Sequence, residues 1–239
     1  MMAFDLALDL GADALEFDVR LTSDGVPVVH HDRTLFRTAG VAAPVGSLTA
    51  DTLAGVDAGS RFTSDDGHTF PFRGRGVQVP TLAAVLARFH DVPLLIEIKE
   101  PRAAEPARWA IDDAGAADHV VVAAFDSACV APFREAPYLC GGATGDVAGL
   151  YFPSALGMRG NSVSRVRALS VPVRWRGIPV PTRRFVRAAN AAGVPVHVWT
   201  VDSPKLARSL WARGVSGIVT NVPDVILDAR PGGAASRSR

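Results

Sequence analysis

Short apolar runs recur along the chain at 13–19, 93–98, 119–124, 138–142, 167–171, 195–200 and 216–220. Between them, apolar residues take helical spacing in segments such as 81–89, 126–135, 182–192 and 203–213. Strand-length runs alternating with helical segments predict parallel βαβ units and an α/β fold. The chain opens on residues 1–8, which read as a helix. After the first run, Ser23-Asp24-Gly25 is turn chemistry that returns the chain into Val28-Val29-His30-His31-Asp32, predicting a hairpin. Residues from about 33 to 80 are rich in Gly, Ser, Thr and Asp, with one short helical pattern at 48–55 and no strong strand, and read as an insertion on that hairpin. Within it Arg61, Phe62 and Arg73-Gly74-Arg75 are candidates for a lid or specificity element. Residues 1–229 form one domain in this reading, and 230–239, without apolar content, a disordered tail.

The first run carries chemistry. Side chains on a strand alternate faces, so Glu16 and Asp18 share one face while Leu15, Phe17 and Val19 take the other. Two neighbouring anions repel, and a hard divalent cation bound through oxygen is the simplest way to keep them together. A strand-end cap at Asp18 and a solvated edge position for Glu16 would explain the same pair without a ligand. By the same alternation Glu97 and Lys99 share a face of Leu94-Leu95-Ile96-Glu97-Ile98-Lys99. Three carboxylates suit Mg²⁺ or Ca²⁺ rather than Zn²⁺, and a lysine beside them suits an anionic ligand, most simply a phosphate. The alternative for Glu97 and Lys99 is a buried ion pair.

The segments GADALEFDVRLTSDGVPVVHHDRTLFRT (11–38), VPTL (79–82), EIKEP (97–101), VHVWTVD (196–202) and GVSGIVTNVPD (214–224) together resemble the glycerophosphodiester phosphodiesterase family in order and spacing. The resemblance implies a TIM-type (β/α)8 barrel that hydrolyses glycerophosphodiesters to glycerol 3-phosphate and an alcohol with a divalent cation. It places Glu16, Asp18 and Glu97 on metal-ligand positions, His31 on one of two acid/base histidines, Lys99 on a phosphate-contacting position and Trp199 on a substrate-pocket aromatic. Members normally begin with a strand ending in His-Arg-Gly and a later Glu-Asn-Thr segment, and neither is present here. The pattern agrees: it yields seven strands where a closed barrel of this type has eight. The expectation is therefore a barrel lacking its first strand, through a truncated product or a misplaced start, unless seven strands close or another chain pairs with the gap. Impaired hydrolysis, a non-catalytic remnant that binds metal or anions, and lysophospholipase D-like activity are the corresponding functional alternatives.

Of the remaining histidines, His30 faces away from His31 on its strand and reads as packing. His197 shares a face with Trp199 and reads first as a core residue, while His68, His90 and His119 carry no motif. With 239 residues, 48% of them hydrophobic, and a net charge of +1, the chain fits one large core and no basic patch argues for nucleic acid. Lys99 and Lys205 are its two lysines, the other cations being arginines spread along the sequence. Cys129 and Cys140 have no framework spacing and read as free and buried. No apolar run reaches membrane-spanning length and no leader is visible, which makes the cytoplasm the default compartment, although a leader could be missing with upstream residues. The pattern says nothing about oligomeric state.

Overall fold

The computed structural model describes residues 1–158, 163 and 165–232. Helix α1 (Met2–Asp9) leads into β1 (Leu15–Leu21), whose burial alternates with period two: Leu15, Phe17, Val19 and Leu21 are buried and Glu16, Asp18 and Arg20 are not fully so. Gly25, at φ +83°, takes the left-handed turn position that a side chain would strain, and β2 (Pro27–Val29) pairs back antiparallel onto the second half of β1.

The stretch that follows has its own small core of Val28, Leu35, Val45, Leu53 and Val79. It contains β3 (Thr34–Leu35), α2 (Phe36–Ala39), β4 (Val41–Pro44) and α3 (Ala50–Ala54). The two strands pair antiparallel, and at two and four residues they are too short to show an alternating pattern in the sequence. Arg61 lies over the Phe36 ring, Arg73 over Phe70, and Phe62 packs on Phe72, so these residues are engaged within the insertion itself.

From here the chain alternates as the pattern predicts. Helix α4 (Leu82–Arg88), capped by Thr81, precedes β5 (Leu94–Ile98), and α5 (Ala104–Asp113) precedes β6 (Val120–Ala123). The helical pattern at 126–135 divides into α6 (Ser127–Val130) and a 3₁₀ turn from Ala131 to Phe133, because Pro132 has no N–H to continue the ladder. Then come β7 (Leu139–Cys140), α7 (Thr144–Ala155), β8 (Leu169–Pro172) and a small antiparallel hairpin of β9 (Arg174–Trp175) and β10 (Ile178–Pro179). Helix α8 (Arg183–Ala191), β11 (Val196–Trp199), α9 (Pro204–Trp211), β12 (Gly217–Ile218) and α10 (Pro223–Asp228) complete the described chain. Thr182 and Ser203 cap α8 and α9 by accepting from Phe185 and Leu206 N–H. The predicted tail falls largely at 233–239, outside the described residues.

The sheet order is β2-β1-β5-β6-β7, with β1, β5, β6 and β7 parallel, and β12-β11-β8, also parallel. A parallel bridge between Gly141 and Ala168 joins the two parts, giving seven barrel strands in succession. Among the described residues no ladder joins β12 to β1. The edge of β1 is left bare only along its first half, since β2 covers Val19–Leu21, whereas the strand count alone would leave the whole edge open. Helix α10 and the α1–β1 connection meet across this interval, where Arg230 pairs with Asp13 at 2.9 Å. Outside the strands, Phe4 of α1 packs on Phe17 and Phe89. Cys129 and Cys140 are free and buried.

His197 faces inward and lies against the backbone of β12, where a Cβ on Gly217 would come within 2.6 Å of the imidazole Cδ2. Overpacking of this kind costs typically about 1–3 kcal/mol. Gly217→Ala is therefore expected to lower unfolding free energy by about that amount, and His197→Ala to relieve most of the loss in the double variant. Additive effects in a denaturation cycle would show that the imidazole does not set this contact.

Candidate functional site

Parallel pairing of β1 with β5 sets Asp18 directly beside Glu97 and Glu16 beside Leu95, so that three carboxylates emerge on the inner face of two adjacent strands. One oxygen from each of Glu16, Asp18 and Glu97 lies within 4.8 Å of the others. Lys99, at the end of β5, brings its Nζ to 2.7 Å from Asp18 Oδ1 and 2.6 Å from Glu97 Oε1. Glu16 has no hydrogen-bond partner among the described residues. The structure thus unites Glu16, Asp18, Glu97 and Lys99, and the ion pair that was the alternative for Glu97 and Lys99 is part of the same group.

Electrostatics marks Glu16 as the strained member. Burial, reinforced by repulsion from Asp18 and Glu97, raises its pKa from 4.5 to about 7, against the weaker pull of Lys99. Burial also raises Glu97, more than the Lys99 hydrogen bond lowers it. Burial disfavours the Lys99 ammonium, yet its bonds to Asp18 and Glu97 outweigh that and hold it above its ordinary value. Fully ionised, the cluster holds three carboxylates against one ammonium, and the excess of negative charge sits among hard oxygen donors. That donor set fits a hard divalent cation.

His30 and His31 do not lie on a strand as expected: β2 ends at Val29 and both fall in the irregular backbone just beyond it, where their side chains part. His30 is buried, its Nε2 3.1 Å from the Thr34 carbonyl oxygen, and burial lowers its pKa. His31 is exposed, and near enough to the cluster to act on Glu97's charge. Its Nδ1 is 2.7 Å from Asp32, which accepts in turn from Arg37 Nε at 2.7 Å, while Arg20 on β1 donates to the His31 carbonyl at 3.0 Å. The Arg37 bond holds Asp32 well below the usual carboxylate range. Arg37 and Arg20 were not evident as site residues from the sequence, whose spacing does not reveal that they converge on His31.

Trp199 lies across the barrel mouth, edge-to-face on Phe125 at 5.7 Å between ring centroids, and Phe125 packs on Trp175 at 5.6 Å. Both Trp199 and Phe125 line a cavity of about 270 Å³ that also touches Glu16 and Glu97. At the end of β11, Asp202 accepts from Thr220 Oγ1 at 2.8 Å and from Asn221 N at 2.9 Å. This ties the VHVWTVD segment to the GVSGIVTNVPD segment at the rim that presents Trp199.

The sequence profile of the glycerophosphoryl diester phosphodiesterase family matches residues 1–130 and 152–225. The chain belongs to this family of phosphoric diester hydrolases. It is 31% identical over 241 residues to the glycerophosphodiester phosphodiesterase of Caldanaerobacter subterraneus subsp. tengcongensis, covering 97% of this chain and 91% of that one. Its fold is similar to the crystal structure of glycerophosphodiester phosphodiesterase from Agrobacterium tumefaciens, with a TM-score of 0.71 at 25% identity over 95% of this chain and 90% of the other. A glycerophosphoryl diester phosphodiesterase domain from Mycobacterium tuberculosis superimposes with a TM-score of 0.81 at 19% identity, covering 93% and 90%, which bears on the fold alone. The architecture is accordingly the family's α/β, TIM-type barrel, described here through seven of its strands.

The cluster's electrostatics predict a pH effect in metal-free protein. Glu16 holds its proton more tightly folded than unfolded, so its contribution to stability is complete below about pH 4.5 and is lost as pH rises through about 7. Thermal midpoints in chelator should decline across that window, and Glu16→Gln should flatten the decline. An unchanged slope in Glu16→Gln would assign the effect to another group.

Proposed function

We propose that this chain hydrolyses glycerophosphodiesters to glycerol 3-phosphate and an alcohol, with a divalent cation, Mg²⁺ or Ca²⁺, held by Glu16, Asp18 and Glu97. The observation that supports this most strongly is the excess of carboxylate charge gathered within 4.8 Å around Lys99, beside a cavity at the barrel mouth. When bound, such a cation supplies charge neutralisation at the phosphoryl oxygens.

The remaining roles fall to side chains already placed. Lys99, which balances Asp18 and Glu97 in this structure, turns its ammonium toward a phosphoryl oxygen once those carboxylates are otherwise neutralised. His31 moves a proton at the attacking or the leaving oxygen as the phosphorus–alkoxide bond breaks, and Asp32, backed by Arg37, holds its imidazole in orientation. Trp199 packs against the organic part of the substrate. Attack by water or by the glycerol 2-hydroxyl is compatible with this arrangement, the second followed by hydrolysis of a cyclic phosphate.

Among the described residues no helix is long and apolar enough to cross a membrane. The small-molecule substrate is the partner this site calls for.

Release of glycerol 3-phosphate from a glycerophosphodiester should require added divalent cation and stop on chelation. His31→Ala should lower kcat by about 10²–10⁴, the usual worth of general acid or base help. His30→Ala should lower thermal stability and leave turnover per folded molecule close to the parent. Equal loss in the two variants would contradict the assignment of His31, and chelator-resistant hydrolysis would contradict the metal assignment.

A further inference from the structure

Between Asp146 and Asp202 the chain has no acidic residue, yet these 55 positions hold eight arginines. Arginines occur throughout the sequence, so the asymmetry comes from the missing acids. With a net charge of +1 for the whole chain, everything outside this segment is net acidic. Charge of one sign gathered on one surface produces a strong local field.

Five of the eight, Arg174, Arg176, Arg183, Arg184 and Arg187, are exposed on the β9–β10 hairpin and α8. These elements and the end of α7 form one surface. The Tyr151 hydroxyl of α7 donates to the Pro179 carbonyl of the hairpin at 3.0 Å, and the Tyr151 ring packs on Phe185 of α8. Arg184 of α8 donates to the carbonyl of Ala155, the last residue of α7. Arg176 lies in the turn between β9 and β10, and Arg176, Arg183 and Arg187 have no side-chain partner among the described residues.

The same surface exposes large apolar side chains. Phe152 is 64% exposed, Leu156 76%, Ile178 54% and Trp175 45%. Apolar and aromatic groups set among unpaired arginines match an anionic bilayer: cations meet the lipid phosphates, apolar groups leave water for the acyl boundary, and tryptophan suits the level between. A nucleic acid would satisfy the arginines alone, because its phosphate backbone offers nothing apolar to Leu156 and Ile178.

We infer that this face, built from the end of α7, the β9–β10 hairpin and the start of α8, docks peripherally on the anionic surface of a lipid bilayer. Phe152, Trp175 and Ile178 also border the cavity at the barrel mouth, so docking turns that mouth toward the lipid. Held by charge and shallow apolar contact, the attachment is reversible and weakens with salt. It depends neither on the carboxylate cluster nor on turnover.

Co-sedimentation of the full chain with vesicles tests this, in chelator so that no divalent ion bridges protein and lipid. Vesicles of phosphatidylcholine mixed with phosphatidylglycerol should carry the protein down, vesicles of phosphatidylcholine alone should not, and added salt should weaken the binding. Each cation near such a surface is worth about fivefold in affinity, so Arg176→Gln, Arg183→Gln and Arg187→Gln should each weaken binding by up to about that factor and the triple variant by about 10². Leu156→Ser, at unchanged charge, should weaken it too. Bromine-labelled acyl chains should quench tryptophan emission, and Trp175→Phe should remove most of that quenching. All five positions are exposed, where substitution has little effect on folding, and an unchanged circular dichroism spectrum and thermal midpoint check each variant. Failure of the folded chain to sediment with anionic vesicles would overturn the inference, as would binding that the arginine variants leave unchanged. So would salt-sensitive binding to duplex DNA at least as tight as to vesicles and indifferent to Leu156→Ser, which would assign the arginines to a soluble polyanion.

Discussion

The register of one strand pair governs this molecule. Pairing β1 with β5 in parallel, Asp18 beside Glu97, brings three carboxylates together, and burial there disfavours the charges of Glu16 and Glu97, with repulsion from the neighbouring carboxylates adding to it. A slip of one residue would turn Glu16 and Asp18 outward into the helix layer and bring Leu15, Phe17 and Val19 inward. The outward face of β1 prevents that slip, because its buried residues pack in the core shared by α4 and α5. Hydrophobic packing on one side of β1 thus maintains an electrostatically costly arrangement on the other. Lys99 offsets part of the cost through Asp18 and Glu97, and Glu16 carries the remainder as a pKa near 7.

How the barrel positions this group depends on its seven described strands. The interval between β12 and β1 is crossed by side chains, through the Arg230–Asp13 pair and the approach of Leu227 to Gly11, rather than by a ladder. An exposed ion pair of this kind contributes little, a median of about 0–1 kcal/mol. The continuous hydrogen-bonded wall therefore runs from β1 through β5 to β12 the long way round. The cluster stands on its best-paired part, at β1 and β5, and the aromatic cavity spans the parts carried by β6, β8 and β11.

The strands and the cluster were legible in the sequence because period-two alternation is local: Glu16 and Asp18 declare their shared face within three residues, and Glu97 and Lys99 do the same. The different surroundings of His30 and His31 do not follow from that principle, since both lie past the end of β2. The cavity was not legible. Phe125, Tyr151, Phe152, Trp175 and Trp199 come from a loop, a helix, a hairpin and a strand, and no spacing along the chain announces that they meet. Arg20 and Arg37 were hidden likewise, since a contact to the His31 carbonyl or through Asp32 depends on how the hairpin ends. The paired β3 and β4, of two and four residues, are too short to show alternation, and Pro132 cut short a helix that apolar spacing had extended to 135.

The proposed mechanism turns on Glu16, Asp18 and Glu97 as a cation site with Lys99 as its internal counter-charge. Anomalous diffraction from crystals soaked in Mn²⁺, a stand-in for the native divalent ion, tests it most directly. One strong peak is expected, bounded by oxygens of those three carboxylates, with Lys99 Nζ displaced from at least one of its two carboxylate partners. Absence of a peak there, with Lys99 still bridging Asp18 and Glu97, would contradict it and leave the cluster a buried ion-pair network.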